Sequence, residues 1–477
     1  MEDILNISTL SITEKPDRLS SLPEHLLSEI LSKLPTDSAV ATSILSRHWH
    51  HQWTYITRFH LNPHNITNCD ELLAFLTNVD NILRQLNSPP TNLRTFSLNF
   101  MVPYPDDPSE DDIGYELCCE FLPRWFHRLC TSHTQRLQVI EIGACLTVHI
   151  QNVPLVSICS PEIESSAVVD TVSLPECIFQ NNTLVELVLN TNLSFTLPNY
   201  LNLPNLKTLS LHIFEHDRQL MRTFFKSLPL LQDLTISAHL SSEDYFIDIS
   251  APNLKTFRIE FEGRDSQNNV LIDAPKLEHI SISISITGSL VLFRFVKIPI
   301  DLLTTTLLPW KSVGDDLAIL ELLKAISCTR SLRIRCRILN VLNSYNVDEL
   351  PTFHNLVSLT LQLHDSENMN LAIPVLILRR LKTIKVGGLV KGCDREISLM
   401  ENILSEATVL ERLICVFISN VDEPEMDSLQ KQNDFVNALF MLPRVSSSCE
   451  IKFLGNFVRV STNVAESRSV TLSDLLD

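Results

Sequence analysis

Residues 43–53 read SILSRHWHHQW, which sets His48, His50 and His51 among Trp49 and Trp53. Imidazoles this close together can ligate a metal, relay a proton, or rim a protein contact. Zinc usually takes four ligands, and no nearby Cys or paired His completes a set. No nucleophile motif accompanies the cluster, so solvated or partner-facing histidines are the expectation. The acidic residues Asp106, Asp107, Glu110, Asp111 and Asp112 could hold a cation or supply paired carboxylates. Their setting, VPYPDDPSEDDIG, reads instead as a solvated loop. The chain has only 9 glycines and lacks G-x-G-x-x-G, G-x-x-x-x-G-K-[ST], G-x-S-x-G and H-E-x-x-H. No catalytic residue, cofactor site or metal site is therefore expected.

Composition narrows the class further. Apolar residues make up 44% of 477, enough for a large core. The formal charge of −18, from 38 basic and 56 acidic side chains, repels phosphate backbones and argues against general nucleic-acid binding. Twelve cysteines are scattered without a C-x-x-C, and Cys118 and Cys119 are adjacent. They read as reduced thiols packed as small hydrophobes, which fits a cytoplasmic and/or nuclear protein. The N-terminal MEDILNISTLSITEKPDR lacks the pattern of a signal peptide. The longest uncharged apolar-rich stretch, His279–Phe293, is shorter than the ~20 residues of a membrane helix. A soluble chain is expected.

The elements that would position any site come from a repeat. A unit L-x-x-L-x-L recurs as Leu184/Leu187/Leu189, Leu206/Leu209/Leu211, Leu231/Leu234/Ile236, Leu254/Phe257/Ile259 and Leu277/Ile280/Ile282. Later copies are Leu356/Leu359/Leu361 and Leu381/Ile384/Val386, and weaker early ones are Leu93/Phe96/Leu98 and Leu137/Ile140/Ile142. The spacing falls in the ~20–29 residue period of leucine-rich repeats. In L-x-L both apolar residues share one strand face, and stacked copies build a parallel sheet over a continuous core. Ile249–Leu254 (ISAPNL) and Ile272–Leu277 (IDAPKL) nearly duplicate each other, with a proline suited to a turn before the strand. Asn192 stands where such repeats expect Asn, but Phe214, His239, Glu262 and Ser285 replace it in the next four units, so irregular curvature is expected. Residues 285–350 break the register, with a helix expected near Asp315–Ile326 and a strand near Leu332–Cys336. A helical return is expected from Asp217 to Leu228.

Upstream, residues 17–42 read as two helices. Ser21 and Glu24 have capping-box spacing, Leu22, Leu26, Leu27, Ile30, Leu31 and Leu34 recur at helical spacing, and Pro35 ends the run. Asp37 is suited to cap the second helix. A third helix from Ile44 would place Leu45, Trp49, Trp53 and Ile56 on one stripe. Three short helices cannot hide this much apolar surface, which predicts a partner helix bundle.

Residues 17–57 resemble an F-box, on the pattern D-R-L-S-x-L-P-x-x-L-L-x-x-I-L-x-x-L-P-T-x-x-A-V-x-T-S-x-L-S-x-x-W. The whole resembles the plant family with F-box, leucine-rich repeats and an FBD region. The FBD likeness, Thr383–Leu454, carries Val386-Gly-Gly, a helix Glu396–Ala407, Val409–Leu413, Leu442-Pro-Arg and Cys449–Phe453. A strand at Leu410–Val416, a loop at Val421–Asp427, a helix at Asp434–Leu442 and a strand at Glu450–Leu454 are expected there. The resemblance implies an α/β architecture: a three-helix F-box, an irregular repeat solenoid of parallel strands with helical or loop returns, and a small α+β FBD cap. The implied division is a mobile tail to residue 15, F-box 16–60, repeats 61–375, FBD region 376–456 and a C-terminal tail.

The family's role is that of a non-catalytic adaptor. Its F-box docks on a Skp-type linker of a cullin-RING ubiquitin ligase, and its repeats hold the target protein. Interface positions carry over to Leu22, Pro23, Leu26, Ile30, Leu34, Leu45, Ser46 and Trp49. This chain departs from the family at Ser46–Trp53, SRHWHHQW, where imidazoles replace usual cations; weaker, pH-dependent electrostatic pull on the linker is expected. Two alternatives stay open. One is a co-receptor whose target binding needs a small molecule, with Arg258, Arg333, Arg335 and Arg337 as candidate contacts. The other is a linker-binding scaffold that marks nothing.

Overall fold

The computed structural model of the chain describes residues 19–63, 66–86, 93–103, 113–131, 137–147, 176–191, 202–213, 223–240, 245–263, 267–284, 290–297, 302–309, 316–363, 371–389, 394–417, 425–455 and 459–462. The acidic run at 106–112, the N-terminal tail, the Asn192 position and the first half of the 217–228 return lie outside them. Described residues up to 191 form one compact unit and those from 202 onward a second.

The first unit opens with helices α1 (Glu24–Leu31) and α2 (Thr36–Ala41), then two 3-10 stretches, Thr42–Ile44 and Trp49–Tyr55. Four parallel strands follow in the order β1 (Arg58–Leu61), β2 (Thr95–Pro103), β3 (Val139–Thr147) and β4 (Glu186–Thr191). Register aligns Phe59 with Phe96 and Ile140, and Leu61 with Leu98 and Ile142, so core residues stack in rows. The first of these rows begins one strand earlier than the leucine pattern shows, because Phe59 stands in the leucine position.

Helices α3 (Cys69–Gln85) and α4 (Ile113–Thr131) pack on this unit. Asn68 caps α3 by accepting from the Glu71 N–H at 2.8 Å, and the Glu71 carboxylate accepts from the Thr67 N–H in return. Leu72, Leu76, Val79 and Leu83 form its buried stripe. The two helices are joined by a buried bond, Trp125 Nε1–H to the Asp80 carboxylate at 3.2 Å, and Arg84 pairs with the same carboxylate at 2.5 Å.

In the second unit the strands are β5 (Thr208–Ile213), β6 (Asp233–Leu240), β7 (Tyr245–Ser250), β8 (Thr256–Gly263), β9 (Gln267–Asp273), β10 (His279–Ile284), β11 (Leu290–Phe295), β12 (Thr304–Pro309), β13 (Ser331–Arg335), β14 (Ser358–Gln362), β15 (Thr383–Leu389), β16 (Arg412–Phe417), β17 (Glu450–Leu454) and β18 (Arg459–Ser461). The main sheet runs β5-β6-β8-β10-β12-β13-β14-β15-β16-β17-β18, parallel throughout except the last pair. Each repeat places its L-x-L pair inward: Leu234 and Ile236 on β6 align with Phe257 and Ile259 on β8, then with Ile280 and Ile282 on β10, all buried. Fully burying one such side chain contributes about 1.5–3 kcal/mol.

Three returns are strands, not helices or loops. β7, β9 and β11 form a second parallel sheet, and Ile249 and Ile272 are register partners in it. The ISAPNL and IDAPKL segments are thus the corners between two sheets: the Leu254 and Leu277 N–H groups close tight turns onto Ala251 and Ala274. The 223–228 segment is helical at its start, with Phe224, Phe225 and Leu228 buried.

The expected break at 285–350 is milder than the pattern suggests. β12 continues the ladder with Leu302, Thr305 and Leu307, a repeat whose middle position is threonine. Thr305 is fully buried and its hydroxyl donates to Thr329 at 3.0 Å, which removes the penalty of a lone buried hydroxyl. Helix α5 (Asp316–Ala325) matches the expected return. The strand beyond it ends at Arg335, and Cys336 begins a further helix, α6 (Cys336–Ser344), which displaces the expected strand end.

After the short α7 (Val375–Leu378), the FBD-like region extends the same ladder through β15, β16 and β17, with α8 (Asp394–Glu406) and α9 (Glu425–Met441) as returns. Residues Glu425–Asp427, expected in a loop, begin α9. β18 falls in the stretch expected as tail and pairs antiparallel with β17, Val460 opposite Phe453. Gly388 makes a bulge in β15 with φ 78°, and a Cβ there would collide with the Leu363 carbonyl. Gly387 has room, its nearest neighbour being the Leu361 oxygen at 3.9 Å.

None of the described cysteines is in a disulfide. Cys177 departs from the packed-hydrophobe expectation. Its thiol is drawn down to about 7 by the hydrogen bond with Cys130 and by neighbouring His127, against the upward push of burial. Cys130 is pushed up by the same bond and by burial, and burial, then neighbouring Cys449, raises Cys415 beyond the ordinary range.

Two outcomes test this description. Gly388→Ala should cost about 1–3 kcal/mol, read by thermal melting, from left-handed strain and the collision. Gly387→Ala should be neutral or gain up to about 1 kcal/mol. Iodoacetamide labelling followed by peptide mass spectrometry should modify Cys177 well before Cys130 and Cys415, with half its limiting rate near pH 7. Uniform labelling of all three would refute the thiol assignment.

Candidate partner-docking site

The helical stripe expected on α1 divides into two faces. Leu27 and Leu31 are fully buried, whereas Leu26, Ile30 and Leu34 are exposed. Spaced by four, these three make an apolar ridge along one side of the helix and the turn beyond it. Leu22 is half-buried and Pro23 exposed at the start of the same segment. Pro23, not Ser21, is the N-cap, and no side-chain cap bond forms there. Proline with fixed φ starts the helix without needing one. Pro35 likewise occupies the N-cap of α2, and Asp37 sits in the first turn, where its Oδ1 accepts from the Ser38 N–H at 2.6 Å.

The third helix is replaced by tighter turns. The chain runs from Thr42–Ile44 through Ser46 to the 3-10 stretch Trp49–Tyr55. Histidine, tryptophan and threonine are poor α-formers, and three residues per turn suit a short tight segment. Trp49 and Gln52, at i,i+3, are buried together with Trp53, and Ile56 follows them. Leu45 falls off that stripe and is 65% exposed; Ser46 is exposed beside it. Trp49, carried over as an interface position, is only 7% exposed and lies inside, its indole N–H donating to Ser20 Oγ at 2.8 Å. The structure therefore brings Leu26, Ile30, Leu34, Leu45 and Ser46 to the surface and sets Trp49 beneath them.

Three residues outside the expected set share this exposure, Leu19, Tyr55 and Ile44, the last 86% exposed. Helical spacing could not flag Ile44, because the helix it was counted on does not form. Seven large apolar side chains open to solvent on so small a helical unit are more than a surface normally carries singly.

The unit is held rigid from below. Ser28 Oγ donates to the Tyr55 carbonyl at 2.5 Å, Ser32 Oγ accepts from the Thr57 N–H at 2.8 Å, and Thr36 Oγ1 accepts from the His60 N–H at 2.8 Å. These bonds join α1 and α2 to the segment that leads into β1. His48, His50 and His51 are all exposed, with the His50 and His51 rings edge-on at 4.6 Å. Among the described residues no three His, Cys, Asp or Glu side chains converge as a metal site.

The arginines considered as small-molecule contacts do not form one cluster. Arg258 is exposed on β8, Arg333 and Arg335 are half-buried on β13, and Arg337 stands on α6 with its Nε buried. No described helix is long and apolar enough to cross a membrane.

Residues 19–61, the stretch that holds this ridge, match the F-box domain. F-box/LRR-repeat protein 13 of Arabidopsis thaliana is 26% identical, over 93% of this chain and 97% of its own length. An F-box/FBD/LRR-repeat protein of the same plant is 25% identical, over 92% of this chain and 96% of its own. Taken with the parallel repeat sheets, these likenesses make this an F-box chain at its N-terminus that is similar, over most of its length, to the F-box/LRR-repeat and F-box/FBD/LRR-repeat proteins of Arabidopsis.

Proposed function

We propose that this protein is a substrate-recognition adaptor of an SCF-type cullin-RING ubiquitin ligase. Its F-box docks on a Skp-type linker, its repeats hold the target protein, and it performs no chemistry itself. The observation that carries this reading is the exposed ridge Leu26, Ile30 and Leu34 with Leu45 nearby, in residues that match an F-box. Burial of that ridge against a partner helix bundle supplies the docking energy, and Leu22, Pro23 and Ser46 border it. Trp49 acts from beneath, as the packing that keeps the ridge in shape. The division into F-box 16–60, repeats 61–375 and FBD region 376–456 belongs to this proposal. So does a cytoplasmic and/or nuclear location, where thiols such as Cys177 stay reduced. The scaffold reading shares the docking step and differs only in leaving the bound target unmarked.

A pull-down and titration against a Skp-type linker test the reading. The intact chain should bind. Leu26→Ser, Ile30→Ser and Leu34→Ser together should weaken binding by about 100-fold or more while leaving the melting midpoint unchanged or higher. Trp49→Ala should instead lower stability by about 3–5 kcal/mol, as loss of a core aromatic does. An intact chain that ignores the linker would leave a stand-alone repeat scaffold in place of an adaptor.

A further inference from the structure

The outer face of the main sheet, opposite the core, changes character at β13–β15. β13 presents Arg333 and Arg335 there, β14 Thr360 and Gln362, and β15 Lys385 and Gly387. None of these six is a carboxylate, in a chain whose net charge is −18. Register sets Arg333, Thr360 and Lys385 in one row, so the two cations stand two strands apart, roughly 10 Å. The Arg333 Nε is buried and has no hydrogen-bond partner among the described residues. Burial, and then the charge of Arg333, hold the Lys385 ammonium below the usual lysine range; burial does the same to the Arg335 guanidinium. Carboxylates laid along that row meet both cations on one face of the sheet.

The rows continue into apolar side chains. Lys385 aligns with Ile414, and Gly387 with Val416, both half-buried on the outer side of β16. A small inorganic anion has no use for that flank. A peptide laid across the strands has: it can set carboxylates over the cations and aliphatic side chains over β16. Gly387 leaves the space between them open.

We propose that this face of β13–β16 binds an acidic peptide segment of the target protein, with carboxylates over Arg333 and Lys385 and apolar side chains over Ile414 and Val416. The proposal rests on the adaptor reading and names the chemistry of the surface that the adaptor recognises.

Fluorescence anisotropy with the full-length chain tests it. The probe is a labelled peptide of alternating Glu and Leu; the same peptide with Gln for Glu is the control. The acidic peptide should bind, more weakly as salt rises, and the Gln peptide should not. Arg333→Gln and Lys385→Gln should each weaken binding about tenfold or more, Arg333→Lys less, and Lys255→Gln, an exposed site elsewhere, not at all. Linker binding and the thermal melt of the same variants should be unchanged, the melt showing that the unit carrying the substitutions is folded. Equal affinity for both peptides, unchanged affinity in the Arg333 and Lys385 variants, or displacement of the peptide by inorganic phosphate at equal concentration overturns the assignment. If the linker fails to bind while the acidic peptide does, the adaptor reading falls and the acidic-peptide site stands.

Discussion

A parallel strand cannot satisfy itself. Its N–H and C=O groups point sideways, and it must have a neighbour on each edge or expose a row of unpaired donors and acceptors. Every feature of both sheet-bearing units follows from feeding that ladder one strand at a time. Short strands with two inward residues are enough, because register stacks each L-x-L pair against the next. The ladder tolerates a missing leucine as long as the backbone pairing continues. Thr305 occupies a core position at β12 because its hydroxyl finds Thr329, and the strand still pairs in register with β10 and β13. The far end is closed by β18, whose antiparallel pairing covers the edge of β17.

The same constraint explains where function can reside. One face of each strand is consumed by the core, so the opposite face and the strand ends are free to vary. In most strands of the second unit that outer face carries serine, threonine and scattered charges. At β13–β15 it carries Arg333, Arg335 and Lys385. Burial works against the charge of Arg335 and Lys385. A cluster of one sign on the variable face, in a chain of net charge −18, points to a ligand of the opposite sign.

The helical N-terminal segment obeys a different rule. Three hydroxyl-to-backbone bonds, from Ser28, Ser32 and Thr36, and the indole of Trp49 fix a scaffold so small that it cannot bury all its leucines. The leftover ridge is the docking surface. Leu27 with Leu31 and Leu26 with Ile30 are similar apolar pairs one position apart, and only the side of the helix separates core from contact.

Periodicity in the sequence alone determined the repeat: which residues face inward, where most strands fall, and that the first forty described residues are helical with surplus apolar surface. These are local matters, set by the two-residue alternation of strands and the spacing of leucines along a helix. Tertiary structure decided the rest. It made strands of the returns at β7, β9 and β11, because three neighbouring segments could pair with one another. It kept β12 in the ladder despite its threonine. It wound Trp49–Tyr55 into 3-10 turns in place of the expected helix, with Trp49 in the core and Leu45 and Ile44 outside. It also brought Arg333 and Lys385, 52 positions apart in the chain, into one row. Spacing in a sequence records which face a side chain takes; only pairing between distant strands decides which side chains share it.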